Sequence, residues 1–220
     1  DVVGPSDVVR SLAVVYLAMQ VGSIVGSLVG GYVVERVGAD IAFLVLATSY
    51  VLSSYTLRFL ERGEREAVRV REPMWQSLKG IGQELRRNRS LLLLVVVIGT
   101  VEILGFSHMA LMPSLAKDEL DVGAEGLGIL TAFRSVGGII ATLLFALTPD
   151  PKKKGQLYLV VTFIFGCSIV FLGFASTFVL AVVAIMMISG MMALSDVLSQ
   201  TIIQRVVPDE FRGRAMGAWA

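Results

Sequence analysis

Cysteine is almost absent from this 220-residue chain: the single one, Cys167, sits inside an apolar run. An intrachain disulfide and a cysteine-built metal site are therefore excluded, and the thiol reads as a small packing side chain. Charge is scarce as well. Asp, Glu, Lys and Arg make up 17% of the residues, against roughly 25% in a soluble domain, while 55% are hydrophobic and the mean hydropathy is +0.76. Those values exclude an ordinary soluble fold and place the chain in a bilayer. A formal net charge of +1 gives no reason to expect a nucleic acid partner. The apolar runs contain no HExxH, no serine–histidine pairing at a common depth and no carboxylate cluster at metal-ligand spacing. That argues against a membrane-embedded enzyme, and no metal or other cofactor is expected. No signal peptide is visible.

What the chain has in abundance is apolar sequence long enough to cross a bilayer, which takes ~20 residues in a helix. Such runs lie at about 11–34, 41–60, 91–114, 127–147, 157–175 and 178–205. Backbone amides have no water to bond in lipid, so each run predicts a helix, and the fold class is all-α, a polytopic membrane helical bundle. Basic residues favour alternate connections: Arg10 before the first run, eight between the second and third, Lys152 to Lys154 between the fourth and fifth, and Arg212 and Arg214 after the sixth. By the positive-inside rule these connections are cytoplasmic. The longest of them, 61–90, begins with mixed charges and continues with Trp75, Leu78, Ile81 and Leu85 at helical spacing. This predicts a short amphipathic helix on the inner membrane surface or against the protein itself.

Ionisable side chains within spans are costly and mark function by default. At 1.5 Å per residue, Glu102 lies ~16 Å from Leu91, Arg134 ~20 Å from Leu147 and Asp196 ~14 Å from Arg205, all near the midplane. Each shares its helical stripe with small or polar residues: Gly99 and Gly105 for Glu102, Thr131, Gly137, Gly138 and Ala141 for Arg134, and Ser189, Ala193, Ser199 and Gln200 for Asp196. Such stripes line a cavity or a tight helix contact. Two readings of the charges stand side by side. Glu102 or Asp196 takes up and releases a proton while Arg134 serves as a movable counter-charge, or Glu102 and Arg134 form a permanent ion pair between helices. Asp196 with Ser199 and Gln200 reads as a contact to substrate or water, or as helix–helix hydrogen bonding. His108 reads as a satisfied interfacial histidine. Met186, Met187, Met191 and Met192 suit either packing or a surface for varied apolar ligands.

Two motifs carry a family resemblance. In the first span Gly22, Gly26, Gly30 and Gly31 follow Ala13 in the register of the fifth-span glycine motif of major facilitator superfamily exporters, with Ser27 where that motif has proline. After the sixth span, Pro208, Asp209, Arg212, Gly213 and Arg214 resemble the cytoplasmic loop that follows the tenth span in a bacterial efflux branch that includes siderophore and macrolide exporters. The resemblance implies a major facilitator fold, represented as a fragment from about the fifth to the eleventh of twelve spans. Residues 1–60 would be the last two spans of the N-terminal half, 61–90 the central cytoplasmic loop, and 91–220 the first four spans of the C-terminal half with the start of the next. It further implies a secondary transporter, proton-coupled, exporting a small amphipathic drug or siderophore by alternating access in the bacterial cytoplasmic membrane. The partners would be the substrate, protons, the lipid bilayer and the remaining spans of the full-length chain. A lipid-handling or non-transporting membrane scaffold of the same fold is the alternative.

Overall fold

The computed structural model describes residues 8–59, 89–149, 151 and 153–206, and every regular element among them is helical. Six long helices carry the fold: α1 Val8–Arg36, α2 Ala39–Thr56, α3 Arg89–Ser114, α4 Gly123–Ala146, α5 Lys154–Gly173 and α6 Phe178–Val206. Each contains a segment long and apolar enough to cross a membrane. A helix is the form in which such a segment satisfies its own amides without water. The connection 61–88 and the motif residues Pro208, Asp209, Arg212, Gly213 and Arg214 lie outside the described residues.

Two local devices shape the ends. Val37 and Gly38 both donate to the Val33 carbonyl, and Gly38 takes φ 108°. This left-handed stop costs a glycine little, and it turns α1 directly into α2. In α3, Pro113 is followed by a π-helical turn at Leu115–Glu119. Proline has no N–H for the helical ladder and crowds the preceding turn, and a wider turn accommodates that disruption.

Packing centres on α4. It lies along α1 on one side and α6 on the other, α5 packs on α6, and α3 touches α4, α5 and α6 more sparingly. Close approach is made by small residues. A Cβ added to Gly128 would stand 2.4 Å from the Ser27 carbonyl oxygen, and one on Gly31 would stand 2.6 Å from that of Ala124. Ser135 donates to Ser23 at 2.9 Å in the same seam. On the other side of α4, a Cβ on Gly137 would lie 2.4 Å from the Met186 carbonyl oxygen. Around these crossings Leu130, Ile185, Ile188 and Leu198 are fully buried.

The line of α1 that meets α4 is thus Ser23, Ser27 and Gly31. Gly22, Gly26 and Gly30 fall on the adjacent line, about 100° around the helix, and no described atom comes within 4 Å of a Cβ added to any of them. Helix α2 has no buried residue and touches the bundle through α1.

Valine at Gly128 or Gly137 should force helix backbones apart and cost about 1–3 kcal/mol or more, the range for overpacking a tight contact. Thermal unfolding in detergent checks this, with Gly166→Val on α5 as the reference, because nothing lies within 4 Å of a Cβ there. Equal melting temperatures for all three variants would contradict the backbone contacts.

Candidate functional site

Glu102 on α3 and Asp196 on α6 are both half-buried, and their carboxyl groups come within hydrogen-bonding reach of each other. A hydrogen bond between two carboxyls needs a proton on one of them, whose O–H then donates to the other. The two helices bring them together because each turns its small-residue stripe inward. Gly105, one turn beyond Glu102, leaves room for the Phe165 ring of α5, which would stand 2.6 Å from an added Cβ. Ser195, beside Asp196, is buried.

Tyr158 of α5 completes this end of the site. It is 3% exposed, its hydroxyl neighbours Ser195 and Thr162, and both carboxyls are close enough to act on it electrostatically. The hydroxyl makes no hydrogen bond of good geometry, while Thr162 spends its own on the Tyr158 carbonyl at 2.8 Å. Ser199 is buried and donates to the Asp196 carbonyl at 3.0 Å, so its hydroxyl serves the helix backbone. Gln200 is half-buried one residue further along.

Arg134 stands apart from the acids. Its Nη1 lies 3.6 Å from the Met109 sulfur of α3, and among the described residues no ion pair joins it to Glu102. A different ion pair, Arg36 to Glu125 at 4.0 Å, is solvent-exposed and sits where α1 ends and α4 begins. There Ala124 donates its N–H to Glu35 Oε2 at 2.8 Å, so a carboxylate from α1 caps α4, whose own N-cap residue Val122 has no side chain able to do so. Gly123 adopts φ +61°, and a Cβ on it would lie 2.7 Å from the same Glu35 oxygen. His108 is buried, with Nδ1 against the Gly105 carbonyl and Nε2 unpartnered. Among the described residues no group of three or more His, Cys, Asp or Glu is placed to hold a metal ion.

Six membrane-capable helices with ionisable groups gathered on inward faces meet a family match that runs the whole length, residues 1–220, to the Major Facilitator Superfamily. The chain belongs to that superfamily. Its members are membrane transporters, which makes this a multi-pass membrane protein of a transporter family. The enterobactin exporter EntS of Shigella flexneri is 24% identical over 217 residues, covering 99% of this chain and 51% of that protein. The enterobactin exporter EntS of Escherichia coli O1:K1 is also 24% identical, over 222 residues, with the same coverage. The chain thus spans about half the length of the curated relatives it matches. No solved structure matches it.

Sequence reasoning singled out Glu102, Asp196 and Arg134 but missed Tyr158, Ser195 and Glu35. Tyr158 has the polar tip that a buried aromatic must place, and it leads the stripe Tyr158, Val161, Phe165, Ser168 and Leu172, all buried in α5. That stripe was the available signal. Glu35 carried none, because its partner is a backbone amide 89 residues away.

Glu35→Ala should uncap α4 at a cost of about 1 kcal/mol and speed amide exchange at Ala124 roughly five-fold. Hydrogen exchange read by mass spectrometry checks this. Unchanged protection in the first turn of α4 would show that the cap carries no stability.

Proposed function

We propose that this chain forms part of a proton-coupled exporter of small amphipathic molecules, working by alternating access in a bacterial cytoplasmic membrane. The observation that carries the reading is the meeting of Glu102 and Asp196 between two membrane spans. Two carboxylates in contact repel one another, so the contact persists while they share a proton. Proton loading then favours α3 and α6 together at this level, and proton loss favours their separation. The group close enough to act on both carboxyls and tune this step is Tyr158 from α5, whose hydroxyl neighbours Ser195 of α6. Arg134 and His108 lie further along the cleft.

The seam between α1 and α4 supports alternating access. In this reading residues 1–60 belong to one half of the transporter, 91–220 to the other, and 61–90 to the connecting loop, so the seam joins the halves. With the basic connections inside, Glu35 and Arg36 lie on the outer side. The seam runs from Gln20 beside Gly138 to Glu35 on Ala124. Export and a siderophore-like or drug-like cargo follow the relatives, which are named as enterobactin exporters.

A lipid-handling role is the second reading. An apolar groove of about 420 Å³ between α4 and α6, lined by Met186, Met187, Met191 and Leu144 among others, favours it. Flexible thioethers suit an acyl chain as well as a drug.

Full-length protein in proteoliposomes with an imposed pH gradient distinguishes the readings. Gradient-driven movement of fluorescent amphipathic dyes or catecholate siderophores, abolished by a protonophore, is the expected outcome. Glu102→Gln and Asp196→Asn should each lower it by at least about ten-fold, the scale of losing a charge-assisted contact. Flux indifferent to the gradient, or full coupling in both variants, would remove the proton reading. Movement of a fluorescent lysophospholipid without the dyes would select the lipid reading.

A further inference from the structure

Helices α1 and α4 meet through two different kinds of contact. In the middle the backbones themselves approach, where Gly31 and Ser27 lie against Ala124 and Gly128, and further in Ser135 donates to Ser23. At the end of α1, side chains take over. Glu35 Oε2 accepts the Ala124 N–H at 2.8 Å, and Arg36 reaches Glu125 at 4.0 Å. Consecutive residues of one helix thus engage consecutive residues of the other. Glu35 is one turn beyond Gly31 and Ala124 is one turn before Gly128, so the polar contacts extend the glycine line to the helix ends.

The Glu35 carboxylate is placed for the partner helix rather than for its own. It stands in the last turn of α1, where the helix dipole disfavours negative charge, and against the first turn of α4, where the dipole favours it. That first turn has no side-chain cap of its own, because its N-cap residue is Val122. Parting the helices therefore leaves a carboxylate at the negative end of α1 and an open amide on α4.

Gly123 is fitted to the same contact. Its φ of +61° suits glycine, and a Cβ there would lie 2.7 Å from Glu35 Oε2 and 3.2 Å from Oε1. A side chain at this position would push the carboxylate off the Ala124 amide. Glu35 and Arg36 are exposed, so water replaces the lost bonds as soon as the ends part, and the contact is reversible. It lies wholly between α1 and α4 and needs no other part of the full-length chain.

We infer that Glu35 and Arg36 of α1, with Gly123, Ala124 and Glu125 of α4, form a releasable clasp that holds the outer ends of the two halves together and opens each time the outer face is exposed. The inference rests on the alternating-access reading for the motion it restrains, and it is independent of cargo and of proton coupling.

Full-length protein in a cysteine-free background carries spin labels at Asp40→Cys and Glu119→Cys, both exposed beside the two helix ends. Pulsed electron paramagnetic resonance in nanodiscs reads the distance between them, with a short population for the closed clasp and a long one for the open. Glu35→Ala should raise the ratio of long to short about five-fold, the equivalent of one lost helix cap. Glu35→Gln, whose amide oxygen still accepts from Ala124, should recover part of the short population, and Gly123→Ala should act as Glu35→Ala does. Arg36→Glu and Glu125→Arg should each raise the ratio about two-fold, the scale of an exposed ion pair, and the double variant should return it. A merely local cap would change amide exchange at Ala124 and leave the distances alone. That outcome, or a single long distance in the unmodified protein, overturns the clasp. Should Glu35→Ala fail to elute as a single species, Glu35→Gln and the Arg36 and Glu125 exchange decide. Clasp opening without gradient-driven flux would leave the clasp standing and remove the coupled-transport reading. Gradient-driven flux with unchanged distances would do the reverse.

Discussion

The structure depends on how closely α4 can approach its neighbours. Helices in lipid gain nothing from hiding apolar surface from one another, since the surrounding chains are equally apolar, and association rests on contact and short-range polar bonds. Along α4 that contact is backbone against backbone: Gly128 meets Ser27 of α1, and Gly137 meets Met186 of α6. Remove the space at either place and α1 and α6 lose their common support, and with them the positions of the polar groups in between.

The ionisable groups are arranged on what this packing leaves open. Glu102, Arg134 and Asp196 come from three helices, and each is expensive within a span. Glu102 and Asp196 lie beside each other, a contact that two like charges disfavour unless they share a proton. The third, Arg134, lies against the Met109 sulfur of α3. At the far end of α1, the Glu35 cap and the Arg36–Glu125 pair hold the same two helices that the glycines bring together. Polar bonds there lie at helix ends, where water can replace them, so the end contact can break at lower cost than the glycine seam.

Much of the fold was legible in the chain. Six runs of bilayer length predicted six helices, and the described helices follow them to within a few residues, except where the third continues through the π turn to Glu119. The inward stripes of α3, α4 and α6 were legible as well, because small and polar residues at helical spacing mark a buried face in lipid. The partners along those stripes were not. Glu102 and Arg134 lie at similar depth, which made them natural counter-charges, whereas in the structure Glu102 faces Asp196. Depth can be counted along a sequence, but the order of helices around the bundle cannot.

The glycines of α1 divide the two kinds of information. Residue spacing alone determined that Gly22, Gly26 and Gly30 share a line and that the helix has a smooth side, since the 3.6-residue turn is a local property of the backbone. Tertiary structure decided that α4 lies on the next line, with Ser23, Ser27 and Gly31, because which line is used depends on where a helix some 100 residues later can come to rest. The same holds for Tyr158 and Glu35. Each residue's chemistry was visible in the chain, and its surroundings rest on neighbours that only long-range packing supplies.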